Sequence, residues 1–110
     1  MNDKIYVERI IKYLEKIERY MNNINTFQEF QLEEEKIDAV ILNLEQIGET
    51  AKKLSKNFKV AYPDIDWPKL IGLRNIISHE YEGISIDIIY AILRDKLPSI
   101  ANVLKAITDK

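Results

Sequence analysis

The stretch "RNIISHEY", residues 74–81, brings together Arg74, the chain's single histidine, His79, and Tyr81. Histidine is the side chain whose ordinary pKa lets it give and take protons near neutral pH. Arginine is a permanent cation whose planar fork matches phosphate oxygens. The combination suits acid–base chemistry at a phosphodiester. Cleaving RNA through its 2′-hydroxyl requires a base for that hydroxyl, an acid for the leaving oxygen and positive charge at the phosphorane. One imidazole cannot hold both protonation states at once. Two copies of the chain facing across a two-fold axis would supply two His79 and two Arg74, with Asn75 and Ser78 as further donors. That scheme needs no metal.

The neighbouring sequence must hold these groups in place, and it reads as helix. With Arg74 at zero and about 100° per residue, Leu70, Leu73, Ile76 and Ile77 fall between about 200° and 320°, a compact apolar face. Tyr81, Arg74, Ser78, Glu82, Asn75 and His79 share the opposite face, between about −20° and 140°. His79 is therefore expected off the core, as a reactive group or as an exposed cation at a helix C-terminus. Trp67 and Ile71 fall at about 20° and 60°, among the polar groups. Large apolar side chains there suit a subunit contact, so Trp67 and Ile71 are expected near a homodimer axis.

The other elements follow from periodicity. Val7, Ile10, Leu14, Ile17, Met21 and Ile24 form one apolar stripe at steps of three and four. Thr26 with Glu29 is a candidate capping box. A second stripe, Ile37, Val40, Leu44, Ile47, Ala51, Leu54 and Phe58, predicts an antiparallel partner for the first. Gly48 lies inside its span, where close approach of another helix would offset its low helix propensity. "AYPDIDWP", 61–68, breaks the chain, and Asp66 with Pro68 opens a third helix expected to reach Tyr81 or Glu82 and stop at Gly83. Ser85 is a candidate cap for a fourth helix with Ile88, Ile89, Ile92 and Leu93. Pro98 kinks or restarts it ahead of Ile100, Val103, Leu104 and Ile107. The expected fold is all-α: an up-and-down four-helix bundle with a short additional C-terminal helix, spanning 1–110 as one domain.

Composition narrows the class. The chain has 110 residues, 46% hydrophobic and 31% charged, with three Gly and three Pro, a profile of one helix-rich domain rather than a disordered chain. No apolar run approaches the roughly 18 residues of a membrane helix, and "MNDKIYVERI" holds no signal-peptide core. Zero Cys suits the cytoplasm, and with one His it argues against a protein-only zinc site. A net charge of −2 and a pI near 5.5 oppose a broad nucleic-acid footprint, so nucleic-acid chemistry here must be local.

Arg74, four residues, His79, one residue, Tyr81 resembles the R-x4-H-x-Y signature of HepT-like toxins, in the HEPN superfamily of helical ribonucleases. "AVILNLEQIGETAKKL" is similar to the family's second helix, and "YPDIDW", "IGLRN" and "DKLP" also stand where members carry similar strings. The resemblance therefore spans nearly the whole chain. It implies a homodimeric, metal-independent endoribonuclease toxin that needs no cofactor and leaves a cyclic phosphate. It also implies that Arg74 and His79 are the catalytic pair and Asn75 the polar residue following the arginine. Tyr81 would be the residue that a cognate minimal nucleotidyltransferase antitoxin modifies with AMP. RNA is the implied substrate, with neither DNA nor membrane as a partner; assembly beyond the dimer stays open.

One departure stands out: Glu82 follows the tyrosine where the family often has an aromatic, and Glu80 adjoins His79. Carboxylates turned toward the ring would raise the His79 pKa and repel a phosphate. Glu45 and Glu49, four residues apart, could hold Mg²⁺, although a solvated helix face beside Lys52 and Lys53 is the simpler reading. Because "IGE" matches a family string, Glu49 keeps a supporting role near Arg74. "LEEEK", 32–36, reads as a solvated face. The alternative to a nuclease is a non-catalytic helical subunit that presents a nucleotide or substrate to the transferase, which the acidic pI and the two extra glutamates favour.

Overall fold

The computed structural model describes residues 2–73 and 86–108. Helix α1 (Asp3–Tyr20) buries Val7, Ile10, Leu14 and Ile17, and Met21 and Ile24 continue the buried line beyond its end. Every position of the first expected stripe is thus in the core. Thr26 then caps a five-residue helix, α2 (Phe27–Gln31): its side chain accepts from the Glu29 amide at 3.1 Å. The Glu29 carboxylate reaches back to the Asn25 amide at 3.3 Å, so the capping box forms with its return bond one residue early. The "LEEEK" segment does not simply extend a helix. Leu32 is 85% exposed, and α3 (Glu34–Lys52) starts afresh with Glu34 and Glu35 in its first turn, where carboxylates favour the helix dipole.

Helix α3 buries Ile37, Val40, Ile41, Leu44, Ile47, Gly48 and Ala51, with the polar Asn43 and Thr50 also inside. Both polar side chains turn back on their own helix: Asn43 Nδ2 donates to the Ala39 carbonyl at 2.8 Å and Thr50 Oγ1 to the Gln46 carbonyl at 2.7 Å. Burial then leaves neither donor unsatisfied. The second expected stripe ran through Phe58, but α3 stops at Lys52 and Phe58 belongs to α4 (Lys56–Ala61). The cause is Ser55. Its Oγ accepts from the Phe58 amide at 3.1 Å, while its own amide and hydroxyl donate to the two Asp3 carboxylate oxygens at 2.8 and 2.7 Å. This contact places the end of α3 against the start of α1, so the two long helices run antiparallel.

Asp66 caps α5 (Trp67–Ile71) by accepting from the Lys69 amide at 3.2 Å, with Pro68 in the first turn as expected. Helix α5 ends at Ile71, and the expected continuation to Tyr81 or Glu82 lies outside the described residues. Gly72 forms a turn whose amide bonds the Pro68 carbonyl at 2.9 Å, and a Cβ on it would stand 3.0 Å from that same oxygen. Helix resumes at Leu73; the expected stop at Gly83 and cap at Ser85 lie outside the described residues.

Residues 86–108 form almost one rod. Helix α6 (Ile86–Ala91) passes through a π-helical turn, Ile92–Lys96, into α7 (Leu97–Thr108). In that turn the Leu97 amide bonds the Ile92 carbonyl five residues back. Pro98 cannot donate to the Arg94 carbonyl and its ring would crowd it, so a widened turn ahead of the proline is a physical alternative to a kink. The expected C-terminal helix is twelve residues long, and it packs antiparallel to α1: Arg94 bonds the Ile24 carbonyl, and Lys105 Nζ lies 3.9 Å from Glu18. Tyr90 meets the rings of Phe27 and Phe30 with centroids 5.7 and 5.4 Å away, fixing α2 to α6. The described residues are all-helical with no strand, as the bundle expectation requires.

The Ser55 amide and hydroxyl hold the Asp3 carboxyl below its usual range. A depressed carboxylate adds stability that is present above its unfolded value of 3.8 and is lost as pH falls through the folded value. Asp3→Asn should therefore be less stable than wild type at neutral pH in urea denaturation. The gap should close on the acid side of 3.8; a gap independent of pH would remove Asp3 from this role.

Candidate functional site

The residues with chemical potential lie just beyond a well-defined frame. Arg74, Asn75, Ser78, His79 and Tyr81 are outside the described residues, as are Glu80 and Glu82. What is described is the platform that leads into them. Leu70 and Leu73 are both buried, one helical turn apart, as the apolar face of "LIGLRN" anticipates. Leu73 anchors the chain immediately before Arg74, and Ile86 restarts it in α6, half-buried against the core.

Trp67 corrects an expectation. It is not stranded on a polar face: it is 6% exposed and sits in the core of its own protomer. Its indole Nε1 donates to the Tyr62 carbonyl at 3.0 Å, and Phe58 meets it edge-on with centroids 5.9 Å apart. Ile71 is half-buried against the same core. Trp67 lies about 60° around the helix from Leu70, so the buried arc of α5 reaches further round than the expected apolar face and takes in both residues. Trp67 is thus unavailable as an interface anchor.

Glu49 lies on α3, half-buried and engaged in an interaction. Glu45, one turn before it, is half-buried as well. Among the described residues no group of three His, Cys, Asp or Glu side chains is placed to hold a metal ion. Beside Leu73, a cleft of about 300 Å³ opens between the 64–70 region and the π-turn, with Asp66, Lys69, Asp95, Lys96 and Ser99 on its walls. It offers mixed charge and hydroxyl groups at the threshold of the Arg74 segment. Asp95 and Lys96, from the π-turn, and Ser99, from α7, carry no local sequence signal for this position, since only the tertiary fold brings them to it.

A helical bundle whose third helix leads into an Arg-x4-His-x-Tyr segment is the class of protein that the comparisons identify. The family described as "Ribonuclease HepT-like" matches residues 10–107, a span that leaves out of the described helices only about the first two turns of α1 and the last residue of α7. The chain belongs to the HepT-like ribonuclease family, and so is a ribonuclease. It is 31% identical over 97 residues to the "Probable ribonuclease HepT" of Thermococcus cleftensis, covering 88% of this chain and 87% of that one. A candidate RNase of Methanocaldococcus jannaschii is 33% identical over 96 residues, 87% of this chain and 78% of its own. Another from Caldanaerobacter subterraneus subsp. tengcongensis is 29% identical over 105 residues, 96% and 93% of the two chains. No solved structure matches.

Truncating the buried Trp67 to alanine should destabilise the protomer by about 3–5 kcal/mol, as loss of a core aromatic does. Guanidinium denaturation would show it as a drop independent of protein concentration. A loss that disappears at high concentration would return Trp67 to a subunit interface.

Proposed function

We propose that the chain is a metal-independent endoribonuclease that works as a homodimer, with Arg74 and His79 as its catalytic residues. It would be the toxin of a toxin–antitoxin pair. The observation that carries this reading is the family match across residues 10–107, which encloses Arg74, His79 and Tyr81 in the family's order and spacing. In the proposed reaction one neutral His79 takes the proton of the 2′-hydroxyl, whose oxygen attacks the adjacent phosphorus. The His79 of the second protomer, protonated, gives a proton to the departing 5′-oxygen. Arg74 stabilises the negative charge that builds on the phosphorane, with Asn75 and Ser78 as neutral donors. A 2′,3′-cyclic phosphate and a 5′-hydroxyl result. Glu49 supports the Arg74 segment from α3.

Silencing follows from the same face. A cognate nucleotidyltransferase would move AMP from ATP onto the Tyr81 hydroxyl and release pyrophosphate. The added phosphate competes for the Arg74 charge, and the nucleoside occludes RNA. The case for the dimer rests on the proton bookkeeping of a single histidine per chain, since Trp67 is buried.

Purified protein should cleave RNA in EDTA. His79→Ala should lose about 10²–10⁴-fold and Arg74→Ala about 10²–10³-fold in rate, with unchanged melting temperatures. Undiminished cleavage by His79→Ala would end the nuclease mechanism and leave the non-catalytic subunit as the reading. Incubation with the transferase and ATP should add AMP to Tyr81, read by intact mass, and stop cleavage; Tyr81→Phe should escape. AMP on Tyr6, Tyr13 or Tyr90, or a silenced Tyr81→Phe protein, would refute that arm.

A further inference from the structure

Charge is segregated along this acidic chain. Residues 29–38 hold five carboxylates (Glu29, Glu33, Glu34, Glu35, Asp38) against Lys36 alone. Residues 50–63 hold Lys52, Lys53, Lys56 and Lys59 and no carboxylate. The fold gathers the second group with the start of α1. Asp3 is bonded to Ser55, the cap of α4, and Lys59 is near enough to act on the Asp3 charge. Tyr6 has Arg9 Cζ 5.7 Å from its ring centroid and Lys53 Nζ 5.9 Å from it. Arg9, Lys52, Lys53 and Lys56 are exposed and Lys59 is half-buried. Of the carboxylates in the adjoining sequence, Asp3 is committed to Ser55, Glu49 is engaged and Asp66 pairs with Lys69, while Glu8 and Asp64 are exposed.

Helix dipoles explain part of this. Cations favour helix C-termini, which suits Lys52 and Lys53 in α3 and Lys59 in α4. The dipole opposes Lys56, the first residue of α4, and does nothing for the mutual repulsion of the group. A polyanion would relieve both. The chain's substrate class is such a polyanion, and α4 is tied directly to α5 through Trp67, by the Phe58 ring and the Tyr62 carbonyl. From Trp67 to Leu73, next to Arg74, is six residues, at most about 20 Å of chain.

We propose that Lys52, Lys53, Lys56 and Lys59, with Arg9, hold backbone phosphates of the RNA flanking the bond that is cut. The inference deepens the ribonuclease reading and rests on it for the identity of the polyanion. It also explains how a protein with a net charge of −2 handles RNA: the positive charge is local, at one end of the bundle. The contacts are to phosphate and carry no sequence preference. A membrane surface fits less well. Ile5 and Val60 are the exposed large apolar residues recorded in α1 and α4, and α4 is too short for an amphipathic anchor.

The test is binding of a fluorescein-labelled oligouridylate to the His79→Ala protein, with and without Lys53→Gln/Lys56→Gln/Lys59→Gln. Each phosphate contact to a single strand contributes about 0.7 to the slope of log K against log salt, so three should lower it by about 2. At about 0.1 M salt that is roughly a hundredfold weaker binding. With the histidine intact, the triple variant should raise KM and leave kcat at saturating RNA unchanged. A charge-matched control at the other end, Lys16→Gln/Lys36→Gln/Lys105→Gln, should bind nearly as wild type. An unchanged dissociation constant and salt slope in the first triple variant, with its melting temperature preserved, would overturn the proposal. So would RNA binding left intact while binding to phosphatidylserine vesicles or to the nucleotidyltransferase is lost. Binding is read on a protein that need not cut, so a failure of cleavage in wild type would count against the nuclease reading alone.

Discussion

Helix α3 is buried around about half of its circumference, from Thr50 and Asn43 on one side to Gly48 and Ile41 on the other. A helix with so wide a buried arc cannot be satisfied by one neighbour. Helix α1 covers part of it, running antiparallel, and α5 and α2 cover more. The arrangement of the rest follows. Because α5 must lie on α3, the chain that leaves α5 at Gly72 and Leu73 is delivered beside the bundle, where the Arg74 segment begins. Because α1 must lie on α3, its outer side is left to α7, and the α6–α7 rod closes the bundle there.

What was legible in the sequence was the set of positions decided by periodicity. All six residues of the α1 stripe are buried, and so are the stripe positions of α3 from Ile37 to Ala51. The caps with a local partner, Thr26 and Asp66, were legible too, since each acts on an amide three residues ahead. Boundaries set by distant contacts were not. The end of α3 depends on Ser55, whose hydroxyl is held by a carboxylate 52 residues away. The π-turn depends on Pro98 and on Arg94 reaching Ile24, 70 residues back. Trp67 was misplaced because packing against Phe58, on another element, widens the buried arc of α5 to include it, which periodicity within one segment does not reveal.

Of the candidate site, the sequence carried the residue types and their order, and the structure supplies the platform. The mixed-charge cleft beside Leu73 was not legible, because Asp95, Lys96 and Ser99 are 25–35 residues downstream of the 64–70 region and meet it only through the tertiary fold. The lysine-rich end was written plainly in residues 50–63, yet the net charge concealed it. Net charge describes the whole chain, whereas a phosphate responds to charges within about one Debye length, about 8–10 Å at physiological salt. A single negative total can therefore coexist with a strongly positive end.

Burial of Trp67 changes what supports the proposed dimer. Its aromatic surface is spent on Phe58 and the Tyr62 carbonyl, so an apolar anchor at that position no longer argues for a second protomer. Among the described residues, the exposed large apolar ones, Ile5, Leu32, Leu42, Val60 and Ile88, come from α1, the α2–α3 turn, α3, α4 and α6. Scattered aliphatics of this kind are ordinary on a protein surface and define no interface. The weight therefore shifts from packing to chemistry. A chain with one histidine has one group able to exchange protons near neutral pH, and phosphodiester cleavage asks for a donor and an acceptor in the same event. Pairing two copies meets that demand without any further residue type. In the proposed mechanism the constraint on the interface is then geometric: it would have to bring two His79 rings to opposite sides of one phosphate.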